Sequence, residues 1–441
     1  MSEKYIEEII DELKRNGSEI KNTEELAETA TEIVNRDVSL EEALDSIAKD
    51  LLEETYTILT KKNKFGVDYI TGISTCIYLP DFKGHGEYKL KIIGGSGSRS
   101  IDLPINTETM FDVAAITSIF TLLLLFKFEQ EGILDLDTKI ADINPEYQGL
   151  EDYTFNDLIR LHGVIYTDGR VNDATSKEEA IEKLHSAFLK NNTRGENNFN
   201  DLCAIIAGET LAKFISERMG KQMTLEDIMK EYLIKPLGLK NTMFNPTTTN
   251  VAGNGNLEGL VHDPKARILG GAVGSAGLFT TSDDLAQLAR HMYSLEYVNP
   301  EYIRRMGEIT FPDSKFAQKG NFGIYVKHPL GLDKTFTPSE FSTGSFSHQG
   351  WTGSVATFDP NNMIHQNMLV NAIYEDNEPA LLDSEGKPIK RVVNDKPAGF
   401  VPAFDPYIAS LTQHSLLMLV VKRYYDKYYG PSLDIDNVKT I

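Results

Sequence analysis

The sequence predicts an α+β fold: an antiparallel sheet flanked by N- and C-terminal helices, with a mainly helical domain inserted into it. Three observations predict it. Strand-like runs fall in two groups far apart in the chain, at 72–95 and again from about 346. A long, mostly helical stretch separates them, and an apolar helix closes the chain at 410–429. Strands from both groups must then share one sheet, which is not an alternating βαβ order.

The first group is GISTCIYLP (72–80) and YKLKIIGG (88–95), apolar and β-branched, separated by a polar GHGE turn. This reads as a hairpin. Ahead of it, Ile6, Ile9, Ile10 and Leu13 form one helical stripe that stops at Asn16-Gly17. Asn22 with Glu25 resembles a capping box for a second helix through Val34. A third helix begins at Ser39, with Glu42 three residues on, and turns Ala43, Leu44, Ile47, Leu51 and Leu52 toward a core.

The inserted block, 111–269, carries FTLLLLFKFEQEG (120–132) ending at Gly132, and FNDLIRLHG after a Thr154 N-cap. LCAIIAGETLAKFISERMG (202–220) and TLEDIMKEYLIKPLG (224–238) each end on a glycine. GGAVGSAG (270–277) is a glycine-rich turn, and a capped helix starts at Ser282. GSFSHQG, GSVATFDP and MIHQNMLVNAIYED alternate and read as three adjacent strands. The closing helix is apolar on most sides and should lie against the sheet. Segments 245–260 and 376–400 read as loops. The expected organisation is a helical extension at 1–38, a sheet domain of 39–110 plus 270–430, the helical domain 111–269, and a tail at 431–441.

Composition bounds the function. Of 441 residues, 41% are apolar and 25% charged, an ordinary globular balance. A formal net charge of -21 repels phosphate backbones and anionic lipid, so neither nucleic acid nor membrane is expected as a partner. The two cysteines, Cys76 and Cys203, sit in apolar runs and read as small buried hydrophobes. The nine histidines show no metal-ligand spacing, so no metal and no cofactor is expected. The N-terminus lacks an apolar secretory stretch, and the expected location is the cytoplasm.

Five local sequences, in this order, carry a family resemblance. INTETMFDVAAITSIFT resembles the entry into a nucleophile helix, and EGILDLDTKIADINPEY the segment after it. IKPLGLKNTMFNP resembles a PLG-containing turn. GLVHDPKARILGGAVGSAGLFTTSDDLAQLARHM resembles a VHD stretch with a glycine-rich run before a helix. FSHQGWTGSVATFDP resembles the third motif and its following strand. Together they resemble the serine β-lactamase/penicillin-binding-protein family, in its class C β-lactamase-related branch. That branch includes DD-peptidases, esterases and amide hydrolases.

The resemblance implies a serine at the head of a buried helix, a lysine three residues later on the same face, and a tyrosine from the helical block. This chain departs at all three: Ala115 stands at the serine position, Ser118 at the lysine position and Asn198 at the tyrosine of Tyr-x-Asn. Asn200, the last member of that motif, matches, and the third motif keeps its His-x-Gly form as His348-Gln349-Gly350. The N–H groups of Ala115 and Trp351 are expected to form an oxyanion-hole-like pair.

The expected ligand pocket is Ala115, Ser118, Asn198, Asn200, His348, Gly350 and Trp351, with no catalytic residue by the family mechanism. The reading is a pseudoenzyme that binds a small acyl, peptide-like or carboxylate ligand, or serves as scaffold. One rival is a serine hydrolase of amide or ester bonds using Ser118 with His348 as base. The other is a structural protein that self-associates through residues 1–38. His162 reads as structural, and His262-Asp263 as a loop-fixing hydrogen bond.

Overall fold

In the computed structural model the described residues are 71–79, 87–98, 102–191, 193, 196, 200–253, 259–310, 320–326 and 342–371, with Ser39, Glu42 and the backbone of 392–393 and 396–397. The expected helices of 1–38, the closing helix 410–429, the tail and Asn198 lie outside them. Of the expected third helix only Ser39 and Glu42 are described: the Ser39 N–H donates to Glu42 Oε2 (2.9 Å) and the Glu42 N–H to Ser39 Oγ (3.1 Å), a reciprocal capping pair.

The main sheet has six antiparallel strands. β1 (Gly72–Leu79) and β2 (Tyr88–Gly95) form the predicted hairpin, with Gly72 opposite Gly95 and Leu79 opposite Tyr88. β9 (Tyr325–Val326), β10 (Phe346–Gln349), β11 (Val355–Asp359) and β12 (Ile364–Val370) complete the order β2-β1-β12-β11-β10-β9. Every residue of β1 is buried, so this strand is covered on both faces and shows no alternation of apolar with charged residues. It pairs with the distant β12, Ile73 opposite Val370 and Tyr78 opposite His365. Asn371 Oδ1 then accepts the N–H groups of Thr71 (3.2 Å) and Gly72 (3.0 Å), locking that register.

The helical block is built on α1 (Thr117–Gln130), whose Phe120, Leu122, Leu123, Leu124, Leu125 and Phe126 are fully buried. A helix apolar all round belongs in the interior, and truncating one such leucine to alanine costs about 2–5 kcal/mol. It stops at Gly132, which takes φ +66. α2 (Ile140–Ile143) and α3 (Phe155–Ile159) follow; α3 is capped by Thr154 in a full box with Asp157. The hairpin β4 (Ile165–Tyr166) and β5 (Phe188–Leu189) brackets α4 (Lys177–His185). α5 (Leu202–Met219) ends at Gly220 as predicted, and that glycine is left-handed. The predicted 224–238 helix is shorter: α6 (Leu225–Met229) passes into one π-helical turn, Lys230–Ile234. α7 (Pro264–Leu269), α8 (Ser282–Tyr293) and α9 (Pro300–Met306) complete the helices of the described residues. The α8 cap is Thr281; the Ser282 hydroxyl reaches Ser74 Oγ of β1 instead, at 2.7 Å.

A second, four-stranded sheet was not legible in the sequence. It consists of β3 (Met110–Asp112), β6 (Met243–Phe244), β7 (Val251–Ala252) and β8 (Leu278–Thr280), in the order β6-β8-β3-β7. β7 falls inside the segment 245–260 expected to be loop. Strands of two or three residues show no alternation for a sequence to reveal. This sheet draws residues from both sides of the expected boundaries at 110/111 and 269/270. It also delivers Asp112 to the head of α1.

Candidate functional site

Between β3 and α1 the chain makes a single 3-10 turn, Ala114–Ile116. Val113, Ala114, Ile116 and Thr117 are buried, whereas Ala115 is half-exposed. The turn therefore opens at residue 115. Ala114 has φ +44, a left-handed conformation that costs an L-residue about 1–2 kcal/mol. Asp112 Oδ1 holds it there by accepting the Ala114 N–H at 2.8 Å. The Val113 N–H donates to the Leu278 carbonyl (3.1 Å) and the Leu278 N–H to Thr117 Oγ1 (3.3 Å), so the turn is tied to β8 on both sides. Ser118 lies one helical turn beyond Ala115 and is 3% exposed, and no described residue hydrogen-bonds its hydroxyl.

β10 packs against this turn. His348 is buried on the sheet face it shares with Asn367 and Cys76 through the register His348–Ala356–Asn367–Cys76, and its Nδ1 lies 3.1 Å from the Gln349 carbonyl. Gly350 must be glycine, because a Cβ there would stand 2.4 Å from the Val113 carbonyl oxygen. The Gly350 N–H donates to the Ser354 carbonyl (2.7 Å), closing a tight loop, and Thr352 Oγ1 donates to the Asp112 carbonyl (2.8 Å). Trp351, half-buried, is thus held between two residues anchored to 112–113. Among the described residues nothing accepts the main-chain N–H of Ala115 or of Trp351.

The helical block approaches through the start of α5. Gly274 is pressed between α1 and α5: its carbonyl accepts Thr121 Oγ1 at 2.8 Å, and a Cβ on it would stand 1.9 Å from the Ala204 carbonyl. Asn200 is placed at this end of α5, but its amide is engaged with the backbone. Nδ2 donates to the Ile165 carbonyl (2.7 Å) and Oδ1 accepts the Leu202 N–H (3.0 Å), joining β4 to α5. Asn198 is outside the described residues.

One feature escaped sequence reasoning. His262 does fix a loop, but its partner is Asp112 and not the adjacent Asp263. Asp112 Oδ2 accepts both the His262 N–H (2.6 Å) and Nδ1 (2.8 Å), and both side chains are almost completely buried. Nδ1 therefore carries the proton, and Nε2 is left buried with no partner. No local spacing signals a pair 150 residues apart. Asp263 caps α7 by accepting the Ala266 N–H (2.8 Å), and burial holds its carboxyl above the usual range. Beside it Lys265 pairs with Asp201 at 2.6 Å; burial lowers the ammonium, but Asp201 and Asp263 more than offset this and raise it. His162 pairs with Asp157 at 3.2 Å at the end of α3. Among the described residues no His, Cys, Asp or Glu cluster is placed to hold a metal, and no helix is long and apolar enough to cross a membrane.

An antiparallel sheet closed by strands from distant parts of the chain, an interposed helical block, and a buried helix whose head faces a His-x-Gly strand define a β-lactamase-like serine hydrolase fold. The chain belongs to the Beta-lactamase family, whose model matches residues 84–384. It is 26% identical over 324 residues to a putative D-alanyl-D-alanine carboxypeptidase of Escherichia coli, covering 62% of this chain and 72% of that protein. Among solved structures it resembles a class C β-lactamase in complex with cefoxitin (TM-score 0.56, 18% identity, covering 75% of this chain and 95% of that one). It also resembles the octameric penicillin-binding protein homologue from Pyrococcus abyssi (TM-score 0.52, 21% identity, covering 75% and 73%).

Proposed function

We propose that this chain is a non-catalytic member of its family whose site holds a small carboxylate, acyl or peptide-like ligand. Residue 115 carries this reading. At the head of α1, where the family resemblance expects an attacking hydroxyl, the side chain is a methyl group. Loss of the nucleophile alone typically lowers kcat by several orders of magnitude. Ser118 in the expected lysine position supplies no cation, and Asn198 supplies no ionisable group. The retained backbone supports a binding role: the Ala115 and Trp351 N–H groups have no acceptor among the described residues, and both flank the contact between the turn and Gly350. Two such donors suit an anionic or carbonyl oxygen.

The test is intact-mass analysis after incubation with a fluorophosphonate and with benzylpenicillin, together with titration of Trp351 fluorescence by N-acetyl-D-alanine. The expected result is an unmodified mass and a saturable fluorescence change. A stable adduct on any residue of this site overturns the non-catalytic reading. Turnover of a nitrophenyl ester that vanishes in Ser118→Ala establishes the rival hydrolase instead.

A further inference from the structure

The two main-chain donors of this site share one anchor. Asp112 is the last residue of β3 and is 2% exposed. Its carboxylate takes three hydrogen bonds: Ala114 N–H on Oδ1, and His262 N–H and Nδ1 on Oδ2. Its carbonyl takes a fourth, from Thr352 Oγ1. The residue before Ala115 and the residue after Trp351 are therefore both bonded to Asp112. The His262 side chain and backbone fix the carboxylate, so the oxygen offered to Ala114 cannot rotate away.

Ala114 would leave φ +44 for the right-handed or extended region if unconstrained, because its Cβ opposes the left-handed state. A carboxylate oxygen two residues back, itself held by two further donors, supplies the opposing force. The direction of the Ala115 N–H follows from the Ala114 torsions, since that N–H belongs to the peptide group immediately after them.

We propose that Asp112 is a positioning residue: through Ala114 it aims the Ala115 N–H at the same point as the Trp351 N–H, and His262 serves to hold Asp112. The purpose of this arrangement rests on the ligand-binding reading above, whereas its geometry is testable without a ligand. The chain offers two clean reporters. Trp351 is its single tryptophan, and Ala114-Ala115 is its single Ala-Ala pair. Labelling with [15N]tryptophan, or with [13C-carbonyl,15N]alanine, isolates each amide in an NMR spectrum.

In the ligand-free full chain, Asp112→Ala is expected to shift the Ala115 amide resonance well beyond its linewidth, with α8 amides unchanged. An unmoved Ala115 amide overturns the proposal, and so does an equal shift of the α8 amides, which marks a merely structural role. In the N-acetyl-D-alanine titration, Asp112→Ala is expected to weaken binding about tenfold. Asp112→Asn, which keeps an oxygen for the Ala114 N–H, should stay closer to wild type. Equal affinities in wild type and Asp112→Ala refute positioning. If the wild type itself binds no N-acetyl-D-alanine, the ligand reading fails and the ligand-free measurement alone decides the role of Asp112.

Discussion

Gly350 lies so close to Val113 that a Cβ at 350 would stand 2.4 Å from the Val113 carbonyl oxygen. This contact brings the end of β10 against the turn at the head of α1. Gly350→Ala must push the strand end and the turn apart. We expect it to destabilise the chain by about 2–3 kcal/mol, measured by urea unfolding, and to change Trp351 emission. Wild-type stability in this variant would show that the strand end and the turn do not press on each other.

Ala114 is the converse case. At φ +44 a glycine has no Cβ to oppose the left-handed conformation. Ala114→Gly is expected to raise stability by up to about 1 kcal/mol, because relief of the left-handed strain exceeds the added freedom of the unfolded chain. Ala115→Gly, in a residue without positive φ, should lower it. Thermal unfolding of the two variants side by side checks the pair.

If only side chains are missing from a preserved site, replacing them should return chemistry. Ala115→Ser, Ser118→Lys and Asn198→Tyr together are expected to hydrolyse a nitrophenyl ester above the wild-type background, and Ala115→Ser alone much less. Total inactivity of a folded triple variant would mean that the surrounding site has also changed shape.

Acid should loosen the sheet through His365. This residue is fully buried on β12, its ring tilted against Phe358 at 4.5 Å between centroids, with Nε2 2.9 Å from Asn367 Nδ2. Burial pushes its pKa down from 6.5 to about 3. Between those values the unfolded chain binds a proton that the folded chain refuses. The stability contribution is therefore intact above pH 6.5 and is lost as pH falls toward 3, at about 1.4 kcal/mol per pH unit. Between pH 7.5 and 5.5 the wild type should lose roughly 1.4 kcal/mol more than His365→Gln. Parallel pH profiles for the two proteins would sink this assignment.

Much of the fold was legible because its elements carry long patterns or strong local stops. The β1–β2 hairpin, the apolar centre of α1, the Thr154 cap and the glycine stop at Gly220 each follow from a few consecutive residues. The candidate site was legible only in part. Ala115, Ser118, His348, Gly350 and Trp351 fall on the turn, helix and strand end that meet at residues 112–118. Asn200 stands just before α5 with its amide engaged with Ile165 and Leu202. That engagement depends on β4 lying alongside the start of α5, which no spacing reveals.

The sequence by itself determined the family, the longer strands and helices and the absence of a hydroxyl at residue 115, since composition, periodicity and motif order are properties of the chain alone. Tertiary structure decided that β7 is a strand, that His262 answers to Asp112 and not to Asp263, and that Gly350 must have no side chain. The physical reason is common to all three. Each depends on a hydrogen bond or a steric limit between residues more than a hundred positions apart, and such contacts exist only once the sheet and the helical block have closed on each other.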